Sequence, residues 1–179
     1  VLFLCGRSDK PHRRPIKEFV RSHHSDCLPF YAEDVWNTIL KIDDSPNALE
    51  MEGKLAALAD VVIIVVNGAG AIAELGAFSN SKSLREKLLL ILDESRKGQD
   101  SFINTGPVDW VEKESEFSPI WTSYADIALG YDALSDQLEN LNAGRRRSTY
   151  ELIANPDPGG SKYRGLLYFV VDLIRVLGP

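Results

Sequence analysis

The sequence is short of cysteine and has no long apolar run. Cys5 and Cys27 are the two cysteines of the 179-residue chain, and their spacing fits neither a metal site nor a redox pair. No apolar run reaches the roughly 18 to 20 residues that a membrane-spanning helix needs, and no charged-then-apolar segment opens the chain as a signal peptide does. We therefore expect reduced core thiols in a cytoplasmic protein, without a metal site and without membrane contact.

The sequence also lacks a surplus of basic residues. Its formal net charge is -6 and its pI is about 5.1, which excludes a protein whose whole surface binds nucleic acid, although a local basic patch is compatible with these values. What it has is an ordinary globular composition, with 44% hydrophobic residues. A chain of this length and composition can bury one sizeable core.

The rest of the chain is arranged around residues 59–78. Val61–Val66 is an unbroken β-branched run, which predicts a strand buried on both faces, as in a parallel sheet. It ends in Asn67-Gly68-Ala69-Gly70, whose glycines allow positive φ and close approach of a ligand, and a helix is predicted from about Ala71. Glu74 then lies in or just beyond the first helical turn, at the carboxyl end of the strand, where ligands bind. Simple compensation of the helix dipole is the alternative role.

A second acid is singled out by helical periodicity. Residues 48–59 are predicted to form a helix, in which Glu52 falls on the apolar face and Glu50 on the opposite face with Lys54. Glu50 is therefore predicted to be a surface acid paired with Lys54. An unpaired buried carboxylate is costly, so Glu52 is predicted to be functional, with pairing to an arginine of the first loop as the alternative.

The first loop supplies a candidate ligand contact. Gly6 closes the first predicted strand and Arg7 follows it, and a guanidinium behind a strand-end glycine suits a phosphate or ribose group. The neighbouring His12, Arg13 and Arg14 are predicted to be solvated surface residues.

Two further polar residues are predicted near the same edge of the sheet. Glu33 falls in the first turn of the helix predicted over Ala32–Ile42, where compensation of the helix dipole is the favoured role. Asn104 is predicted either to turn towards the site or to cap a turn before Gly106-Pro107.

The alternation of strands and helices predicts an α/β fold: a flavodoxin-like, Rossmann-like parallel sheet of about five strands with helices on both faces. The predicted strands are Val1–Cys5, Asp26–Tyr31, Val61–Val66, Lys87–Leu92 and Pro119–Tyr124. Pro29 favours a bulge or an edge position for the second strand.

From Ala125 onwards the pattern becomes helical. We therefore predict a catalytic domain over residues 1–124 and a helical extension over residues 125–179 that leads to a further C-terminal module. The apolar helix predicted over Gly165–Leu177 would dock on the sheet, on another subunit or on that module, and a homo-oligomer is expected.

The motifs around Glu74 resemble those of nucleoside 2-deoxyribosyltransferases, in which a strand, a glycine-containing loop and a Glu-Leu-Gly helix start follow one another. Ala73–Phe78, which reads Ala-Glu-Leu-Gly-Ala-Phe, resembles more closely a branch of that superfamily, the effector proteins of bacterial retrons. Further matches to that branch follow in the expected order: Phe3–Gly6, Tyr31–Glu33, Leu49–Glu52 and Ser101–Pro107. One departure is that the family loop usually carries an acid about where Asn67 and Gly68 stand.

The resemblance implies substitution at an anomeric carbon through an oxocarbenium-like transition state. Glu74 would be the nucleophile, kept ionised at neutral pH by the helix N-terminus, and Glu52 would orient the ribose hydroxyls or act as acid and base. The expected substrate contacts are Gly6, Arg7, Asn67, Gly68, Gly70 and Asn104.

The missing loop acid bears on the substrate. Nicotinamide leaves NAD as a neutral molecule and needs no acid beside it, so Asn67 favours NAD as the substrate, hydrolysed to nicotinamide and ADP-ribose without a separate cofactor. The resemblance also implies depletion of a nucleotide pool during phage infection, held in check by a retron reverse transcriptase and its multicopy single-stranded DNA. Two alternatives stay open: a nucleoside 2-deoxyribosyltransferase of base salvage, and a non-catalytic nucleotide-sensing or interaction module.

Overall fold

A computed structural model describes residues 1–6, 12–34 and 47–145 of the chain. Val1–Glu139 form one compact unit. Arg7 and the helix predicted over Gly165–Leu177 lie outside the described residues.

The described elements alternate between strands and helices, as predicted. The strands are β1 (Leu2–Cys5), β2 (Pro29–Phe30), β3 (Val61–Val65), β4 (Leu88–Asp93) and β5 (Ile120–Thr122). The helices are α1 (Arg13–His23), α2 (Ala48–Leu58), α3 (Ala69–Ser79), α4 (Lys82–Arg85), α5 (Asp109–Glu114) and α6 (Tyr131–Arg145), with 3-10 turns at Glu94–Arg96 and Ile127–Gly130 and a π-helical turn at Asn104–Val108.

The five strands form one parallel sheet in the order β2-β1-β3-β4-β5. This is the flavodoxin-like order, so the predicted α/β fold is confirmed. Pro29 lies in the edge strand β2, where its missing N–H breaks no hydrogen bond of the ladder. The strand predicted after Pro119 is also confirmed, because Ile120 pairs with Ile91 of β4.

Alternating strand residues divide the core between the two faces of the sheet. Phe3, Val62 and Leu90 belong to a buried cluster that also contains Leu55 of α2 and Leu75 of α3. Helices α2 and α3 therefore cover the same face, which also carries Val111 of α5.

The opposite face is covered by α1 and α6. Ile16 of α1 and Leu134 of α6 are almost completely buried beside Ile91 and Ile120. Helices thus lie on both faces of the sheet, as predicted. Among the described residues, no helix combines the length and apolar character that crossing a bilayer requires.

The turn after β1 depends on a glycine. Gly6 has a φ of +130°, and a Cβ built on it would lie 2.9 Å from the backbone oxygen of Val65. Other residues rarely adopt this φ, and their Cβ atom would clash with the oxygen of Val65. This close approach joins the carboxyl ends of β1 and β3.

We expect Gly6→Ala to lower the free energy of unfolding by about 2 kcal/mol or more, since it adds strain at a positive φ to a clash with backbone. Gly76→Ala is the matched control: Gly76 is helical and open, so alanine should stabilise the protein by about 0.5–1 kcal/mol. Urea denaturation measures both values. Equal stabilities for the two variants would contradict the proposed role of Gly6.

Candidate active site

The candidate site lies where the order of the strands reverses. The chain passes from β1 to β2 on one side of the sheet and from β3 to β4 on the other, so the carboxyl ends of β1 and β3 flank the switch point. Ligands of open α/β sheets bind in this crevice. Gly6 follows β1 here, and Glu74 belongs to α3, the helix that follows β3.

Glu74 is a largely buried carboxylate that lacks a full set of partners. The backbone N–H of Gly6 donates a hydrogen bond to it. Its Oε2 atom is buried and has no hydrogen-bond partner among the described residues. A buried unpaired carboxylate oxygen is costly, because water is removed without replacement. The fold therefore disfavours the ionised form of Glu74.

Burial raises the pKa of Glu74 to about 7, with the negative charge of Glu52 as the second cause. At neutral pH Glu74 is therefore only about half ionised, so the helix does not keep it fully ionised as expected. Helix α3 begins at Ala69, two residues before the predicted start, so Glu74 is its sixth residue. The dipole acts mainly on the first turn, and burial outweighs it at this position.

Glu52 lies on α2, which packs on the same face of the sheet as α3. Its side chain is half-buried, and burial followed by the charge of Glu33 raises its pKa. Glu50 is exposed and pairs with Lys54 at 2.7 Å. The predicted contrast between the two acids of α2 is confirmed.

Arg13 is a site residue that the sequence analysis missed. It is only 7% exposed, its Nη2 lies 2.7 Å from Oε1 of Glu33, and its charge lowers the pKa of Glu74 and Glu52. The prediction of a solvated Arg13 is wrong, whereas Arg14 is indeed exposed, at 82%.

A signal for the burial of Arg13 was present in the sequence. Arg13, Ile16, Lys17 and Val20 are spaced as one face of a helix, and all four are buried in α1. From that face Arg13 pairs with Glu33 and Lys17 pairs with Asp34. Most of the helix predicted over Ala32–Ile42 lies outside the described residues, so the dipole role of Glu33 stays a prediction.

Cys5 lies within reach of the same charges. Its thiol is free and buried, as expected for a core thiol. Burial raises its pKa well above the usual value, and the charges of Glu74 and Glu52 raise it further. The thiol therefore stays protonated and is a poor nucleophile.

His12 holds the loop after β3 in place, so its predicted surface role is wrong. The side-chain N–H of Asn67 donates to Nδ1 of His12 at 3.3 Å, and Nε2 of His12 donates to the carbonyl oxygen of Tyr124 at 2.8 Å. The ring also packs on that of Tyr124, with 4.7 Å between the ring centroids. A Cβ on Gly6 would lie 3.7 Å from Oδ1 of Asn67, so Asn67 lies beside the Gly6 turn.

A cavity of about 350 Å³ lies next to this loop, at the carboxyl ends of β3, β4 and β5. Its walls combine apolar, aromatic and polar side chains: Val66, Asn67, Gly68, Ala69, Ile72, Leu92, Asp93, Arg96, Gln99, Ser101, Ile103, Asn104, Trp121 and Tyr124. We call it the β4 cavity.

The structure separates the predicted substrate contacts into two groups. Gly6 lies with Glu74 and Glu52 at the switch point. Asn67, Gly68 and Asn104 line the β4 cavity, where Asn104 Nδ2 donates to the carbonyl oxygens of Arg96 and Gln99 at 2.9 Å each. Asn104 thus faces the cavity, and its amide holds the turn of residues 96–99 rather than capping a turn before Gly106-Pro107.

The glycines of the loop after β3 do not use positive φ. Gly68 is extended, with a φ of -176°, and forms the N-cap of α3, while Gly70 lies inside the helix. A Cβ on Gly70 would meet nothing within 4 Å. The absence of side chains therefore leaves the start of α3 open.

A carboxyl group with a pKa near 7 can give up and take back a proton at neutral pH. When ionised and poorly hydrated, it also strongly stabilises a positive charge placed beside it. The pair of Glu74 and Glu52 therefore suits either acid–base chemistry or reactions that develop a cation.

Comparison with known proteins identifies relatives among bacterial retrons. A family model described as "STM3845 retron effector protein" matches residues 9–179. The chain is 38% identical over 144 residues to the Escherichia coli protein named "Retron Ec86 putative ribosyltransferase/DNA-binding protein", a match that covers 79% of this chain and 47% of that protein. It is 28% identical over 195 residues to the counterpart of retron Ec73, covering 99% of this chain and 62% of that protein. The chain thus spans less than two thirds of either relative.

We expect Glu74→Gln to stabilise the protein above pH 7. In the parent, the folded pKa of Glu74 is about 7 and exceeds the unfolded value of about 4.3, so the folded state binds more protons. The stability that the parent gains from this proton is full below about pH 4.3 and is lost as the pH rises through 7. Glutamine does not titrate. The stability of the variant relative to the parent should therefore rise between pH 5 and 8 by at most about 3 kcal/mol. Urea denaturation at several pH values measures this difference, and a difference independent of pH would contradict the raised pKa.

We expect Glu52→Gln to lower the pKa of Glu74, because it removes a like charge that raises it. The carboxyl resonance of Glu74, identified by its loss in Glu74→Gln, can be followed by carbon-13 NMR titration. Glu50→Gln is the matched control, since Glu50 is exposed and paired with Lys54. An unchanged titration midpoint of Glu74 in Glu52→Gln would contradict the electrostatic coupling between the two carboxyl groups.

Proposed function

Because the chain belongs to the STM3845 retron effector family, we propose that it is an N-glycosidase that hydrolyses NAD to nicotinamide and ADP-ribose. The names of the two relatives support ribosyl chemistry in general. The choice of NAD comes from the electrostatics of Glu74.

The raised pKa of Glu74 is the observation that carries the proposal. Half-protonated and buried beside Glu52, this carboxyl group is ionised more readily when a positive charge binds next to it, since an opposite charge within about 4–6 Å lowers a carboxyl pKa by about 1–3 units. The nicotinamide riboside end of NAD is a cationic glycoside. An uncharged nucleoside supplies no such charge before its bond begins to break.

The reaction then follows from the charges. The bond between C1′ of the ribose and the pyridine nitrogen breaks, its electron pair leaves with neutral nicotinamide, and the sugar becomes an oxocarbenium ion. Glu74 stabilises this ion or bonds to C1′. Water completes the substitution, and Glu52, with its raised pKa, accepts the proton that the water loses.

Asn67 and Gly68 are consistent with this leaving group. Nicotinamide departs without protonation, so an acid is not needed at the loop after β3. The amide of Asn67 is held by His12, which fixes a neutral hydrogen-bonding group at that place. It suits contact with the carboxamide of nicotinamide or with the ribose.

Transfer of the same glycosyl group to an acceptor other than water is the second candidate. The relatives are named ribosyltransferases, and a transferase shares every step up to the oxocarbenium ion. Turnover that requires an added base or another acceptor would identify it. Tight nucleotide binding without any product would instead favour the sensing module.

As partners we propose the reverse transcriptase of the retron and its multicopy single-stranded DNA, which would hold the activity in check. With a net charge of -6, contact with the DNA would be confined to local basic surface. A homo-oligomer in the cytoplasm stays a prediction, and sedimentation of the full-length protein tests the assembly.

We expect Glu74→Gln to lower the rate of nicotinamide release from NAD by a factor of about 10² or more. The amide supplies neither the negative charge facing the oxocarbenium ion nor a nucleophile. The measurement is chromatography of the products after incubation of the full-length parent protein and its variants with NAD.

Glu50→Gln is the matched control, because it removes an acid on the solvent side of α2 and should keep the parental rate. A Glu74→Gln protein that releases nicotinamide as fast as the parent would refute the role of Glu74. A parent protein that releases none would refute the proposed function.

A further inference from the structure

We propose that the β4 cavity binds the adenosine half of a dinucleotide substrate while the other half lies at Glu74. This inference rests on the proposed function and assigns its second subsite. The cavity is separate from the switch point, since neither Glu74 nor Glu52 lines it.

The volume of the cavity fits one nucleoside better than a whole dinucleotide. Ligand sites commonly measure about 300–1,000 Å³, and about 350 Å³ lies at the lower end of that range. A substrate larger than one nucleoside must therefore extend beyond the cavity.

The walls suit a flat aromatic base. Trp121 of β5 and Tyr124 are both half-buried at the cavity, together with the apolar side chains of Ile72 and Ile103. Tyr124 is fixed by the hydrogen bond from its hydroxyl to the carbonyl oxygen of Ile91, at 2.7 Å. Stacking of a base on an aromatic ring is a strong and general means of binding nucleotides.

The polar groups select a base that donates hydrogen bonds. Asn104 donates through Nδ2 to the carbonyl oxygens of Arg96 and Gln99, which fixes the orientation of its amide. Its side-chain oxygen is then the group that can accept, as an exocyclic amino group requires. Adenine carries such a group.

The rim nearest the switch point suits phosphate. Gly68 and Ala69 line the cavity at the start of α3, an 11-residue helix whose first turn has no side-chain cap. Backbone N–H groups at a helix start bind anions, and Arg96 adds a positive charge to the walls of the same cavity. A pyrophosphate would meet both.

Asn67 joins the two subsites. It lines the β4 cavity and lies beside Gly6, whose N–H is bonded to Glu74. Neighbouring strands are about 4.8 Å apart, so the cavity over β4 lies roughly 5–10 Å from the crevice between β1 and β3. A pyrophosphate bridge has to span no more than that.

The test compares NAD with nicotinamide mononucleotide, which lacks the adenosine half, using the full-length protein. Trp121→Leu removes the stacking ring but keeps an apolar side chain in β5. We expect the ratio of kcat/KM for NAD to that for nicotinamide mononucleotide to fall about tenfold or more in this variant. Phe102→Leu is the matched control, because Phe102 is 83% exposed and does not line the cavity, and it should leave that ratio as in the parent.

Two kinetic outcomes would overturn the inference: equal kcat/KM values for both substrates in the parent, or an unchanged ratio in Trp121→Leu. If Trp121→Leu does not fold, Ile72→Trp, at an exposed helix position, fills the cavity instead and should lower the same ratio.

A failure of the proposed function is distinguishable, because the parent would then release nicotinamide from neither substrate. Equilibrium dialysis with AMP decides the inference in that case. We expect the parent and Phe102→Leu to bind AMP and Trp121→Leu to bind at least about tenfold more weakly. A parent that does not bind AMP, or equal binding by all three proteins, would overturn it.

Discussion

The parallel pairing of β1 with β3 is the constraint on which the site depends. Its register, Cys5 opposite Ile64, brings Gly6 against the carbonyl group of Val65 at a distance that excludes any side chain. The backbone N–H of Gly6 then meets Glu74 across the switch point. The position of Glu74 therefore depends on Gly6, and the position of Gly6 depends on the pairing of β1 with β3.

Among the described residues, burial and like charges oppose the charge of Arg13 at this site. Burial and neighbouring negative charges raise the pKa values of Glu74 and Glu52, whereas the charge of Arg13 acts to lower both. Arg13 is shared with Glu33, so it does not fully neutralise the other two. In keeping with this, Oε2 of Glu74 is buried without a hydrogen-bond partner among the described residues. Within the part of the chain that the structure describes, the two carboxyl groups thus have raised pKa values, and groups perturbed in this way are concentrated at functional sites.

The loop after β3 lies between the carboxylates and the β4 cavity. His12 and Asn67 lie 55 positions apart in sequence, and their hydrogen bond fixes the loop between the carboxylates and the β4 cavity. The loop is extended rather than left-handed at Gly68, so it lies open on the side of the cavity. The matches to the two retron relatives cover 47% and 62% of those proteins.

The sequence by itself determined the order of strands and helices, the edge position of β2 and the contrast between Glu50 and Glu52, because these follow from local periodicity and from proline chemistry. It also singled out Glu74, through its place after the buried strand β3 together with the resemblance of Ala73–Phe78 to retron effectors. The tertiary structure decided the pKa of Glu74, the pairing of Arg13 with Glu33, the role of His12 and the existence of the β4 cavity. Each of these depends on groups that are distant in the chain, such as Arg13 with Glu33 or His12 with Tyr124. Burial and charge act through space, and periodicity along a helix or strand carries no record of which partner the fold brings near.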